Sequence, residues 1–191
     1  MRLGVYGGSF DPPHVGHLLV VTDAAEALGL DRVVWVPAAT QPLKAGTAAA
    51  PAAVRLAMVE AAVAGVPGFG ASAIEIDRGG LSYTVDTLEA FAAEHPGAER
   101  FLLIGADSLE TFDRWRAPER IVELAQVAVL QRAAAEGGAP ASLRPGMRAV
   151  TTRRVDLSST EVRARVRAGK PIRGFVPEPV AAIIERAGLY R

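Results

Sequence analysis

The chain has 191 residues, 21 Lys plus Arg against 21 Asp plus Glu, half its residues hydrophobic and no cysteine. That is room for one ordinary domain with an ample aliphatic core, and it excludes a disordered tail, a disulfide scaffold, a thiol nucleophile and a thiolate metal site. The neutrality is a cancellation: residues 144–191 hold eleven basic and four acidic side chains, net +7, and the first 143 are net −7, which points to an anion held locally rather than to a nucleic-acid or membrane surface.

The N-terminus runs straight into Gly7-Gly8 with no apolar stretch of signal-peptide length, and no segment approaches a membrane span, so a soluble cytoplasmic protein is expected. Arg2–Tyr6 reads as a buried strand opening into a tight glycine loop. Leu18, Val21, Ala25 and Leu28 recur at helical spacing across Val15–Leu28, with Gly29 as the stop, and Arg32–Pro37 reads as the next strand. Strand, helix and strand in so short a run predict a βαβ unit and a parallel sheet. The alternation continues with a helix over Ala52–Ala64, a short strand over Ala71–Ile76, a helix over Thr84–Glu94 and a strand over Arg100–Ile104. Helical segments near Asp107–Asp113 and Pro118–Leu124, a strand over Val127–Leu130, a last strand at Arg148–Val150 and helices over Ser159–Ala168 and Val180–Ala187 complete the reading. Ala38–Pro51 and Ala133–Gly146 are loop-like and suit mobile covers over a site. A parallel sheet of this kind takes its ligand at the C-terminal strand ends, where the strand order reverses.

The densest motif is Gly7-Gly8-Ser9-Phe10-Asp11-Pro12-Pro13-His14-Val15-Gly16-His17. Glycines let a backbone approach a phosphate, and the helix start that follows supplies free N–H groups and a positive dipole end. His14 and His17, three apart, share a face there and can donate to the same phosphoryl oxygens, with Gly16 between them removing an obstructing side chain. The plain alternative is a turn in which the histidines only cap the helix. A zinc ion would be short of ligands, since the third histidine, His95, lies in a separate loop-like context and reads as a surface residue.

The second motif, Leu157-Ser158-Ser159-Thr160-Glu161-Val162-Arg163, has the Ser-x-x-Glu spacing of a capping box, and its hydroxyls with Arg163 one turn on also make an anion site. Arg165 and Arg167 read as a solvated face. In Ile104-Gly105-Ala106-Asp107-Ser108, a glycine at a strand end and a carboxylate opening a helix suit a ribose or a Mg²⁺ ion, though Asp107 with Glu110 also fits a cap. By residue type alone Trp115 belongs to a core, Ser82-Tyr83-Thr84 to a polar helix start, and Lys44 to solvent.

The His14 motif resembles the signature of the HxGH nucleotidyltransferases, and nearly the whole chain is similar to bacterial nicotinate-nucleotide adenylyltransferases. The resemblance implies a Rossmann-like, doubly wound parallel α/β sheet of nucleotidyltransferase type, forming one domain over 1–191 with a C-terminal helical part, about 158–191, packed on the sheet. It implies that His14 and His17 grip the phosphates of ATP, and that Gly7, Gly8, Ser9, Phe10, Gly105, Asp107, Ser158, Ser159 and Arg163 belong to the ATP site. The Ser158–Arg163 run is similar to the family's Ile-Ser-Ser-Thr-x-x-Arg, with Leu157 in place of Ile. Gly105-Ala106-Asp107 with Phe112 and Trp115 matches the family in spacing, and there the Trp stacks on the pyridine ring. Ser82-Tyr83-Thr84-Val85-Asp86-Thr87 matches a run that contacts the nicotinate, with Thr84 at the contact, and Pro42-Leu43-Lys44 stands where the family shows Pro-His-Lys, so Lys44 would meet a phosphate. Arg55 and Arg132 also match family positions, as structural or phosphate-facing groups.

The implied activity is adenylyl transfer from ATP, with Mg²⁺, to nicotinate mononucleotide. Its rivals are a sister transferase using nicotinamide mononucleotide or phosphopantetheine, and a non-catalytic nucleotide sensor. A tRNA-binding relative of the class I synthetases would need an anticodon domain for which there is no length. ATP and the mononucleotide are the expected partners; nucleic acid and membrane are not, and a second copy of the chain stays open.

Overall fold

The computed structural model describes residues 1–42, 50–132 and 143–191. Strand β1 (Arg2–Gly8) sends Leu3 and Val5 to one face of a sheet and is flanked by β2 (Arg32–Pro37) and β4 (Glu99–Gly105), both parallel to it. With β3 (Phe69–Ala71), β5 (Gln126–Arg132) and β6 (Met147–Thr152) the sheet has six strands in the order β3-β2-β1-β4-β5-β6, every neighbouring pair parallel. The order reverses between β1 and β4, which opens the ligand crevice of doubly wound sheets at the C-terminal ends of those two strands.

Both faces of the sheet are covered, so each central strand is apolar on both sides. One face carries Val34, Val36, Leu102, Ile104, Val127 and Val129 under α4 (Thr84–Glu94) and α6 (Pro118–Leu124). The other carries Val33, Trp35, Phe101, Leu103, Ala128 and Leu130 under α1 (Val15–Leu28) and α2 (Ala52–Val63). A Cβ at Gly4 would lie 2.7 Å from Leu30 Cδ1 and 3.3 Å from Val33 Cγ2, so a side chain there would displace Leu30. Helix α1 ends on Gly29 in the left-handed region (φ 58°), as its sequence position predicts.

Helices α7 (Ser159–Arg167) and α8 (Glu178–Arg186) differ from the expectation that the C-terminal part packs on the sheet. Their apolar side chains, Val162, Val180, Ala181 and Ile184, cluster with Met58 and Ala62 of α2, and no strand residue belongs to that cluster. Helix α2 is amphipathic on two sides, and its outer apolar side receives the C-terminal helices as a further layer.

The predicted strand over Ala71–Ile76 is also corrected: the strand stops at Ala71, and Ile74–Arg78 is a short helix, α3. The Ile-Glu-Ile alternation has the period of a strand, but β3 finds only three residues of β2 to pair with. The Glu75 carboxylate is then drawn inside, where it accepts a 2.6 Å hydrogen bond from the Thr87 hydroxyl of α4. The segment near Asp107–Asp113 divides into α5 (Ala106–Leu109) and a 3₁₀ turn at Phe112–Arg114.

A buried arginine ties the crevice to α2. Arg55, 2% exposed, donates to the carbonyls of Ala50 (3.2 Å), Ser9 (2.8 Å) and Ala39 (3.1 Å), so α2, the β1 loop and the β2 loop share one guanidinium. Of the two roles the sequence left open for Arg55, this geometry is the structural one. Arg55→Met keeps the aliphatic stem and leaves three inward carbonyls without their donor. Urea denaturation should show a loss of roughly 3–5 kcal/mol, and a loss under 1 kcal/mol would contradict the clamp.

Candidate active site

The loop leaving β1 meets α1 through a reciprocal pair. His14, the N-cap of α1, accepts the His17 N–H on Nδ1 at 3.3 Å, and His17 accepts the His14 N–H on its own Nδ1 at 3.1 Å. The two imidazoles stack with centroids 3.6 Å apart and planes 21° apart. The cap that the sequence offered as the plain alternative is therefore present, and it leaves Nε2 of each ring outside the capping bonds. An imidazole that accepts on Nδ1 while neutral carries its hydrogen on Nε2, so each ring keeps one N–H donor, and the two donors are held side by side.

Burial enforces the neutral state. His14 is 6% exposed and desolvation brings its pKa down to about 4. His17 lies edge-on to Phe10 (5.5 Å) and near Tyr6 (6.2 Å) and Trp35 (6.3 Å), and desolvation, then repulsion from His14, carries it well below the ordinary imidazole range. Gly16 serves the rings directly, because a Cβ there would lie 2.9 Å from His14 Nδ1 and 3.0 Å from Val155 Cγ1.

The other motif glycines divide. At Gly7 a Cβ would have no neighbour nearer than Val36 O at 4.0 Å, and at Gly105 none within 4 Å, so both leave room for an approaching group. At Gly8 it would meet the Phe10 ring at 3.0 Å. Phe10, placed in the ATP site by sequence resemblance, is 3% exposed and sits in the core with its backbone in the left-handed region (φ 49°), so its ring supports His17 from below. Ser9 Oγ donates to Gln41 Oε1 at 2.8 Å.

Helix α7 docks by its N-terminus on the same loop. Ser158 caps α7, accepting the Glu161 N–H at 3.1 Å. The Ser159 hydroxyl donates to the Pro12 carbonyl and Arg163 to the Asp11 carbonyl, both at 2.8 Å. The two motifs, 147 residues apart at the Ser159 contact, thus form one locus, and Val15 N–H adds a 3.0 Å bond to the Phe175 carbonyl.

Asp107 is exposed in the first turn of α5, just past the C-terminal end of β4, and makes no cap there; the N-cap is Gly105. Among the described residues no group of three or more His, Cys, Asp or Glu side chains could hold a metal ion. Thr84, half-buried, opens α4. Ser82 fastens this segment to the β2 loop by accepting the Ala39 N–H at 2.9 Å and donating its own N–H to the Thr40 carbonyl at 2.9 Å. Trp115, half-buried, packs 5.3 Å from Phe112, and its neighbour Arg116 lies 4.8 Å over the Tyr83 ring, so the 82–86 and 115–116 segments come together. Lys44 lies outside the described residues, as does most of the Ala133–Gly146 loop; Arg132 closes β5. His95, expected at the surface, is half-buried and stacks on Phe91.

Asp11 and Tyr190 were not singled out by the sequence. Asp11, 4% exposed, accepts the Tyr190 hydroxyl (2.7 Å) and the Ala50 N–H (3.2 Å), contacts that no local pattern announces.

A family model described as Cytidylyltransferase-like matches residues 5–165. A Gemmatimonas aurantiaca protein named "Probable nicotinate-nucleotide adenylyltransferase" is 51% identical, covering 100% of this chain and 93% of its own. A Thermus thermophilus protein of the same name is 43% identical over 100% of both chains. The chain belongs to the nicotinate-nucleotide adenylyltransferase family. Solved structures share its fold: a Plasmodium falciparum nicotinic acid mononucleotide adenylyltransferase complexed with NaAD superposes at a TM-score of 0.78, with 17% identity over 99% of this chain and 97% of that one. A Vibrio parahaemolyticus protein named "Putative Nicotinate-nucleotide Adenylyltransferase" superposes at 0.73, with 22% identity over 100% of this chain and 96% of that one. No helix among the described residues is long and apolar enough to cross a membrane.

The histidine pair makes a pH prediction for this family member. A His pKa lowered by folding means that the unfolded chain binds more protons between about pH 6.5 and 4, so stability from this group is complete above 6.5 and is lost as pH falls toward 4. NMR titration of His14 should give a midpoint near 4. A midpoint near that of free imidazole would overturn the neutral-donor assignment.

Proposed function

We propose that this chain transfers the adenylyl group of ATP to nicotinate mononucleotide, giving deamido-NAD and pyrophosphate. The observation that carries this reading is the pair of neutral Nε2–H donors at the β1–α1 junction, held by reciprocal caps at 3.1 and 3.3 Å. A 5′-phosphate oxygen of the mononucleotide attacks the α-phosphorus of ATP in line, forming one P–O bond as the bond to the pyrophosphate oxygen breaks. The reaction needs no group on the enzyme to accept a phosphoryl unit. It needs fixed donors where negative charge gathers on the transferring oxygens, and two rings that cannot lose their Nε2 hydrogens at neutral pH supply them.

Gly7 and Gly105, whose missing side chains leave room on β1 and β4, let the nucleotide approach the switch point. Ser158, Ser159 and Arg163 at the α7 N-terminus would hold the β- and γ-phosphates, with Lys44 as a further phosphate partner. Asp107, exposed just past the end of β4, would meet a Mg²⁺ ion arriving on the phosphates of ATP, and among the described residues no group of three or more His, Cys, Asp or Glu side chains could cage one. When bound, that ion would spread charge over the phosphate oxygens. Trp115 and Thr84, on segments joined through Tyr83 and Arg116, would take the pyridine ring and its substituent.

Incubation with ATP and Mg²⁺ plus nicotinate mononucleotide, nicotinamide mononucleotide or phosphopantetheine, followed by pyrophosphate release, tests the reading. Turnover should be fastest with nicotinate mononucleotide; preference for another acceptor would reassign the substrate, and silence with all three would favour a nucleotide sensor. His17→Ala should lower kcat by about 10²–10³-fold and cost helix α1 about 1 kcal/mol through the lost cap. Near-normal turnover in the folded variant would remove His17 from the mechanism. Trp115→Ala should raise KM for the mononucleotide by about tenfold or more and leave KM for ATP nearly unchanged.

A further inference from the structure

Tyr190 is the penultimate residue, yet its hydroxyl reaches the loop between the glycines and the histidines. It donates at 2.7 Å to Asp11 Oδ1 across a separation of 179 residues, and the contact is buried. The backbone is set for this purpose. Gly188 lies at φ 60° and Tyr190 itself at φ 63°, a region that is strained for an L side chain. The ring packs in the cluster formed by α2, α7 and α8, so ring and hydroxyl have separable roles. Burial and the neighbouring carboxylate push the phenol above its ordinary range, which keeps it a donor at working pH.

Asp11 is the point through which this contact acts. Its carboxylate is 4% exposed and also takes the Ala50 N–H at 3.2 Å, while its carbonyl takes Arg163 at 2.8 Å. Between Asp11 and His14 stand Pro12 and Pro13, both buried, whose rings fix φ at two successive residues. A rotation of Asp11 therefore has few torsions in which to dissipate before it reaches the His14 ring and, through the reciprocal cap, His17.

We propose that Tyr190 is a positioning residue for adenylyl transfer: its hydroxyl holds the Asp11 carboxylate, and through the Pro12-Pro13 link sets the angle of the His14–His17 donor pair. This rests on reading that pair as the phosphate donors. The Tyr190→Phe variant of the full chain isolates the hydroxyl, because the ring stays in its cluster. It should keep a near-wild-type melting temperature and lose about tenfold in kcat, with KM for ATP within about twofold of wild type.

The chain has three histidines, so long-range ¹H–¹⁵N spectra resolve each imidazole. In Tyr190→Phe the His14 and His17 signals should move while those of His95, which caps the far end of α4, stay in place. The double variant Asp11→Asn/Tyr190→Phe should be no slower than Asp11→Asn alone. Wild-type kcat in Tyr190→Phe, or unmoved His14 and His17 signals, would overturn the proposal. If the wild-type chain releases no pyrophosphate with any acceptor, the activity reading fails separately, and the imidazole spectra alone decide the role of Tyr190.

Discussion

Residues 9–14 leave the end of β1 and turn through the interior, and a buried loop has to find a donor for each carbonyl that water would otherwise satisfy. Here three donors come from far along the chain, Arg55 to Ser9, Arg163 to Asp11 and Ser159 to Pro12, and a fourth, the His17 N–H to His14, is local. Each is a directed bond to one atom, and together they restrain the loop that presents the histidines. The core beneath, the C-terminal layer above and the proposed chemistry all meet at this backbone requirement.

The same requirement explains how the excess positive charge of the last 48 residues is used. Arg163 turns inward to the Asp11 carbonyl. Arg153 pairs with Asp23 of α1, Arg154 with Asp156 and Arg173 with Glu178, while Arg165 bonds the Pro171 carbonyl and covers the Phe175 ring. Exposed pairs of this kind are worth between nothing and about 1 kcal/mol each. Of these arginines only Arg153 and Arg163 reach out of the C-terminal segment, to Asp23 of α1 and to the Asp11 carbonyl, and Arg163 is the member placed at the crevice.

Most of the fold was legible because its signals are local. The apolar runs at Arg32–Pro37 and Arg100–Ile104, the helical spacing of Val15–Leu28 and the glycine at its end each report a conformation that neighbours in sequence decide. The segment Ala71–Ile76, expected as a strand, is one that tertiary surroundings decide: Ile74–Arg78 is helical, and the Glu75 carboxylate takes a buried bond from Thr87 of α4. Phe10 shows the same limit at the site. Its ring packs in the core against His17, a contact that its place in the motif does not announce.

The sequence by itself determined that this is an alternating α/β chain, neutral only through opposed halves, with a histidine pair at a helix start and a family signature around it. Those follow from spacing, composition and residue type. Only the tertiary structure decided that the two histidines cap one another as neutral donors, that Arg55 binds three backbone carbonyls, and that the chain's last tyrosine closes on Asp11. The reason is physical: tautomer, burial and hydrogen-bond partner are properties of surroundings assembled from residues up to 179 apart, and no window of sequence contains those surroundings.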